Sequence, residues 1–380
     1  MKTHLYQPEH EMFRKSFRKY LKDNVIPFYD EWEQKGMVPP EAWRMAGKNG
    51  FLCPAVPEDL GGPGGDFLYS AVIMEEIGYH GVPGVFWAVH SDIVAPYIEK
   101  FASEGKKKEW LPKCVSGEII LAVAMTEPEV GSDLARLSTS ARREGDHYVI
   151  NGAKTFISNG QLSDLVVTAV RTRDSERPHD GISLIAVDVK TKGFTKGRAL
   201  EKIGLHAQDT SEIFFNDCRV PAENLLGAEN MGFKYLMQNL QQERLVISIG
   251  AYAAARGALD LTMDYVKKRK AFGKAIARFQ NTRFVLAELA TKVQLAQSFL
   301  EDLIPRHLAG EDVVAEVSMA KYWITEMQFE VADRCLQLFG GYGYMREYPI
   351  ARHFVDARVQ RIYGGTNEIM KELIARKLAL

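Results

Sequence analysis

Apolar residues recur every four positions at Phe13, Phe17, Leu21 and Val25, and Pro8 stands where a first helical turn tolerates a missing N–H. An amphipathic helix is therefore predicted from Pro8 to about Val25. Shorter helical patterns follow near 41–48, 69–77 and 93–101, separated by turns such as Gly61-Gly62-Pro63-Gly64-Gly65. The texture changes at 119–124, a compact apolar run, and further β-prone runs lie at 148–150, 155–157, 165–170, 182–187 and 213–215. Asn151-Gly152 sits between two of these runs and predicts a hairpin turn, since both residues of a tight hairpin turn need positive φ. From Gly232 the helical period returns. Leu286, Leu289, Val293, Ala296, Leu300 and Leu303 alternate in steps of three and four, the seam of a helix packed on another helix. Helices are also predicted over 313–338 and 350–360, with Gly340-Gly341 as the stop between them, and over 369–377 behind a Thr366 N-cap. The expected organisation is a helical domain over 1–120, a β domain over 121–227 whose strands end near Pro221, and a helical bundle over 228–380.

A length of 380 residues suits two or three domains, and 46% apolar residues are ample for a large core. With 48 basic against 49 acidic side chains there is no excess charge to draw nucleic acid or an anionic membrane. Cys53, Cys114, Cys218 and Cys335 are far apart and unpaired in spacing, which argues against a zinc ribbon or a disulfide framework and for a reducing compartment. The start of the chain runs at once into charged helical sequence, and no uninterrupted apolar stretch has the length of a membrane span, so a cytoplasmic protein is expected. The nine histidines show no metal-ligand spacing. Neither a phosphate-loop pattern nor a Gly-x-Ser-x-Gly elbow is present, and the glycine clusters lack Rossmann spacing.

Four segments carry candidate chemistry. In 124–133 small residues and backbone amides accompany the hydroxyls of Thr126 and Ser132, suited to a flat polar ring or a diphosphate, or simply to a capped turn. In Gln241-Gln242-Glu243-Arg244-Leu245 a helical glutamate precedes the small-residue stretch 250–258. Projected into a cavity, its carboxyl would rise in pKa toward that of a useful base; the plain alternative is a solvated Glu-Arg pair. Arg269-Lys270-Ala271-Phe272-Gly273-Lys274, with Gln280 beyond, offers a guanidinium fork and an aromatic platform, although a basic helix terminus looks alike. In 361–368 two glycines precede the Thr366 cap, which suits an anion or oxyanion site or a plain interhelical turn.

These segments, in this order on a helical, β, helical layout, resemble the acyl-CoA dehydrogenase family over essentially the whole chain, and the long-chain type in particular through 242–245, 269–273, 337–343 and 362–372. The resemblance implies an α+β multidomain fold with an N-terminal helical domain, a middle β-barrel or sandwich and a C-terminal four-helix bundle. It implies a homotetrameric FAD enzyme that converts acyl-CoA to trans-2-enoyl-CoA and passes electrons to electron-transferring flavoprotein. Most of the family carries its catalytic glutamate at the place held here by Gly364; the long-chain and isovaleryl branches use a glutamate at the place of Glu243. Glu243 is thus the implied base, with the Gly364 amide at the thioester oxygen. Matching FAD positions are Met125, Thr126, Gly131, Ser132, Phe156, Ser158, Arg269, Phe272, Gln280, Gln337, Gly341, Thr366 and Glu368, several of them serving the flavin of a neighbouring subunit. Matching substrate positions are Ser132, Arg244, Tyr363 and Gly365. Phe156 replaces a more frequent tryptophan and Val123 a tyrosine of some members. An acyl-CoA oxidase using oxygen, a branched-chain dehydrogenase and a silent acyl-CoA-binding scaffold remain as alternatives.

Overall fold

Helices α1 (Pro8–Asn24), α2 (Ile26–Lys35), α3 (Pro40–Lys48), α4 (Phe67–Tyr79), α5 (Ala95–Phe101) and α6 (Glu104–Ser116) form the first third. The computed structural model describes residues 5–380; Met1 to His4, part of the chain start read above, lie outside the described residues. Two helices have no counterpart in the hydrophobic pattern. The α1 helix ends at Val25 (φ −120°, ψ −62°), where Pro27 in the next first turn removes an N–H, and α2 restarts at once. The α6 helix buries only Trp110, Leu111 and Cys114, so its charge hides its period. A π-helical turn at Val89–Val94 leads into α5 and sets Val89 and Ile93 toward the cavity described below.

Strands β1 (Leu121–Ala124), β2 (Ser140–Glu144), β3 (His147–Ser158), β4 (Leu165–Arg171), β5 (Ile182–Asp188), β6 (Phe194–Ala199) and β7 (Thr210–Pro221) make one curled sheet ordered β1-β4-β2-β3-β7-β6, with β5 also on β4. The expected hairpin turn at Asn151-Gly152 is absent: both residues lie inside β3. The turn into β3 is Gly145-Asp146, closed by the pair Glu144↔His147. Asn151 instead faces a break in the β3–β7 register, where its Oδ1 accepts from the Asp217 N–H at 2.8 Å. Gly152 takes φ +148°, and a Cβ there would stand 2.5 Å from Thr139 Oγ1. A β-bulge makes the same demand for a small, permissive residue as a turn, which is why the dipeptide misleads.

The long helices α7 (Gly232–Lys268), α8 (Gln280–Leu308) and α9 (Val314–Phe339), with α10 (Pro349–Ala357) and α11 (Asn367–Lys377), form the C-terminal layer. A short hairpin, β8 (Lys270–Ala271) with β9 (Lys274–Ala275), joins α7 to α8. Leu289, Val293, Ala296, Leu300 and Leu303 are buried in one core with Leu259, Val317 and Ile324, as the seam predicts, and Leu286 packs at its edge. The α7 helix is the one described helix long and apolar enough to cross a membrane, but 78% of its apolar window is buried in the fold. Its small residues let α4 approach: a Cβ on Gly257 would meet the Tyr79 carbonyl oxygen at 2.2 Å. The α7 helix thus runs from the β domain past α4 into the bundle. The four cysteines are free and buried.

Candidate active site

Where α7 passes the β domain, a cavity of about 620 Å³ opens between the two. Glu243 lines it and is only 4% exposed, so the solvated Glu-Arg reading fails. Its Oε1 accepts from the Tyr97 hydroxyl of α5 at 2.7 Å. Burial pushes the Glu243 carboxyl up to about 7, against the Tyr97 hydrogen bond and the charges of Arg244 and Lys100, which favour the anion. Lys100 is held off by Asn239, to which it donates at 2.9 Å. The carboxyl therefore titrates near neutrality, with an aromatic hydroxyl fixing its orientation.

The loop before α11 forms the facing wall. Gly364 (φ +64°) and Gly365 (φ +90°) both occupy the left-handed region, and a Cβ on Gly364 would stand 2.4 Å from Ile247 Cδ1 on α7. The Gly364 N–H has no acceptor among the described residues, whereas its carbonyl accepts from Arg244 Nε at 3.2 Å. From beneath, the buried Lys321 of α9 donates to the Gly365 carbonyl at 2.7 Å and to Asn367 Oδ1 at 3.0 Å. Thr366 caps α11 by accepting from the Ile369 N–H at 3.4 Å, as expected.

The β domain supplies the third wall: Met125, Thr126, Gly131 and Ser132 from the loop after β1, and Phe156 and Ser158 from β3. Phe156 sits at φ +59° within a register break and is 68% exposed, a bulge that turns an aromatic face outward to the cavity. Behind the loop lies a buried ion pair. Glu127 accepts from the Ser138 and Thr139 N–H groups and from Lys154 Nζ at 2.9 Å, and Lys154 also donates to the Met125 carbonyl at 3.0 Å. Burial opposes the charge on Glu127, but Lys154 and the two N–H donors outweigh it and hold the carboxyl below the usual range. The loop is braced before any ligand arrives.

The structure gathers Glu243, Arg244, Tyr363, Gly364 and Gly365 with those six β-domain residues around one cavity. It does not bring the remaining FAD candidates there. Arg269, Phe272, Gln337 and Gly341 line a separate surface cavity of about 690 Å³ beside the β8–β9 hairpin. Gln280 at the start of α8 and Glu368 in the first turn of α11 are exposed and line neither, and Thr366 acts as the cap. Sequence reasoning missed Tyr97, Glu127, Lys154 and Lys321. Lys321 alone left a signal: it interrupts the buried face Val317, Ala320, Ile324 and Met327 of α9, where a cation is costly unless it serves an acceptor.

Family models for the N-terminal, middle and C-terminal domains of acyl-CoA dehydrogenase match residues 7–118, 122–218 and 230–379. The chain belongs to the acyl-CoA dehydrogenase family. It is 50% identical to the mitochondrial long-chain specific acyl-CoA dehydrogenase of Sus scrofa over 375 residues, 98% of this chain and 87% of that one. A crystal structure of an acyl-CoA dehydrogenase from Geobacillus kaustophilus superposes with a TM-score of 0.98 at 53% identity, over 100% of both chains. A glutaryl-CoA dehydrogenase from Mycobacterium smegmatis, solved in complex with FADH2, aligns with a TM-score of 0.92 at 28% identity, covering 98% of this chain and 95% of that one. Acyl-CoA dehydrogenases are FAD-dependent oxidoreductases acting on CH–CH groups, and this chain is one. The fold expected from the resemblance is the fold observed.

The residues present fit FAD. A cavity of about 620 Å³ has an exposed aromatic face at Phe156 and, in the same lining as Glu243, a braced loop that brings Thr126, Gly131 and Ser132 to the space. No Cβ projects from Gly364 to fill the space between them.

Proposed function

We propose that the protein catalyses FAD-dependent α,β-dehydrogenation of a long-chain acyl-CoA to the trans-2-enoyl-CoA, with Glu243 as the general base. The observation that carries this reading is the Glu243 carboxyl, buried, oriented by Tyr97 and raised to about 7, in one cavity with the open Gly364 N–H. An α C–H of a thioester is far too weak an acid for a carboxylate in water, so its carbonyl oxygen must be stabilised as charge develops. The Gly364 N–H donates to that oxygen while Glu243 removes the α proton. Arg244 ties the Gly364 loop to α7, and Ile247 with Phe86 keeps water from the reacting carbons. Bound FAD supplies the acceptor for the β hydride. Met125, Thr126, Gly131, Ser132, Phe156 and Ser158 would hold it, and Ser132, Arg244, Tyr363 and Gly365 the substrate.

The long-chain assignment is supported by the likeness to the Sus scrofa enzyme and by a second chamber beyond Phe86 with apolar walls at Met74, Ile77, Val246 and Ala254. The surface cavity at Arg269, Phe272, Gln337 and Gly341 is assigned to FAD held by a neighbouring subunit of a homotetramer, with Gln280, Thr366 and Glu368 at the same contact. Electron-transferring flavoprotein is the proposed electron acceptor.

The test is Glu243→Gln. The variant is expected to purify yellow yet fail to bleach when mixed anaerobically with a saturated long-chain acyl-CoA that bleaches the wild type. Full bleaching of the variant would remove Glu243 from the mechanism.

A further inference from the structure

Past Phe86 lies a smaller chamber of about 40 Å³ enclosed by α4, α7, α9 and α10. Phe86, Val89, Ile93, Ile247 and Tyr363 border both spaces, so an acyl tail laid against Glu243 reaches the chamber by passing the Phe86 and Tyr363 rings. Phe86 holds φ +45°, a strained conformation for a bulky side chain, at this junction. Met74, Ile77, Val246 and Ala254 make apolar walls, as a hydrocarbon tail requires.

Part of the lining is different. Gln328, His353, Asp356 and Gln360 line the same chamber and are 3%, 8%, 4% and 7% exposed. Asp356 Oδ1 accepts from the Leu205 N–H at 2.6 Å and Gln360 Oε1 from the Tyr363 hydroxyl at 2.7 Å. Asp356 Oδ2 and Gln328 Oε1 have no partner among the described residues. Buried acceptors are costly when unmet, and a hydrocarbon end meets neither. A Cβ on Gly81 would stand 2.9 Å from His353 Nε2, so only glycine leaves that imidazole room beside the chamber. No lysine or arginine lines it.

We propose that this chamber is a subsite for an oxygenated chain end, so that the protein accepts acyl-CoA thioesters carrying a hydroxyl near the far end of the acyl chain. The hydroxyl donates to the open oxygen of Asp356 or Gln328. A terminal carboxylate is disfavoured there, because it would be buried beside Asp356 while the nearby cations Arg352 and Lys202 stand outside the chamber lining. This inference rests on the acyl-CoA reading above and names the substrate class of the same site.

The experiment uses the FAD-loaded oligomer and an artificial electron acceptor. Saturated acyl-CoAs of increasing length are compared plain, with a terminal hydroxyl and with a terminal carboxylate. Once the tail is long enough to enter the chamber, the hydroxyl is expected to lower KM at least about threefold against the plain chain at little change in kcat, and the carboxylate to raise it. Shorter chains should show no hydroxyl preference. In Gln328→Met or Asp356→Asn, size-matched changes, the preference should fall at least about threefold in one or both. No hydroxyl preference in the wild type at any length, or an unchanged preference in both variants, would overturn the inference while plain chains still turn over. Failure of plain chains as well would instead overturn the dehydrogenase reading.

Discussion

Burial and one hydrogen bond together set the working point of Glu243, the proposed base. The Tyr97 hydroxyl favours the ionised form of Glu243 while burial opposes it, and the balance lies at about 7. The base works only when deprotonated, so kcat/KM should rise with pH through about 7 and level off above it. In Tyr97→Phe the anion loses its donor and the limb should move to higher pH by about one unit, with a loss at pH 7 of about fivefold that approaches tenfold at lower pH. A pH profile of kcat/KM checks this, since a merely structural role for Tyr97 would lower the plateau without moving the limb. The opposite wall sets a second expectation. Gly364→Glu alone should fail to rescue Glu243→Gln, because its Cβ meets Ile247 Cδ1 at 2.4 Å in a left-handed backbone. Adding Ile247→Ala opens that space, and partial recovery of flavin bleaching is expected in the triple variant.

Among the elements, α9 does work that its composition conceals. Lys321 spans from the buried face of α9 to the Gly365 carbonyl and Asn367, fixing the loop that carries the Gly364 N–H. Lys321→Met should leave the Gly365 carbonyl unmet, with Asn367 Oδ1 keeping only Thr325 Oγ1, lower stability by about 1–3 kcal/mol in thermal or denaturant unfolding, and weaken acyl-CoA binding. The elements that sequence reasoning reached were those whose period matched their burial. The α8 seam was legible because each of its leucines faces the core. The α6 helix was not, because charge covers most of it, and Asn151-Gly152 was misplaced because a bulge and a hairpin turn ask for the same residues. The site divides likewise. Glu243 and the two glycines could be matched to a family pattern as single positions. Tyr97, Glu127 and Lys154 act through partners far away in the chain, and only the fold brings those partners together.

For the whole molecule, the separation of the two cavities is the fact to explain. Phe272, at 95% exposure with φ +49°, presents an aromatic face that its own chain leaves uncovered. If a neighbouring subunit's FAD rests there, Phe272→Ala should release flavin from the oligomer on dilution although Glu243 and its cavity are untouched. Absorbance of the flavin retained after gel filtration, followed against protein concentration, measures it; retention equal to wild type at every concentration would count against the shared site.

Glu243, Ile247, Gly250 and Ala254 lie along one face of α7, the first two on the reacting cavity and the last three on the inner chamber. At 1.5 Å per residue these rungs span roughly 16 Å of helix axis. The same rod that holds the proposed proton acceptor would therefore gauge how far a tail extends from it. Bulk added at the distant rungs would shorten the longest acceptable chain while the chemistry at the near rung kept its alignment, so reach and reactivity can diverge through point changes on one helix.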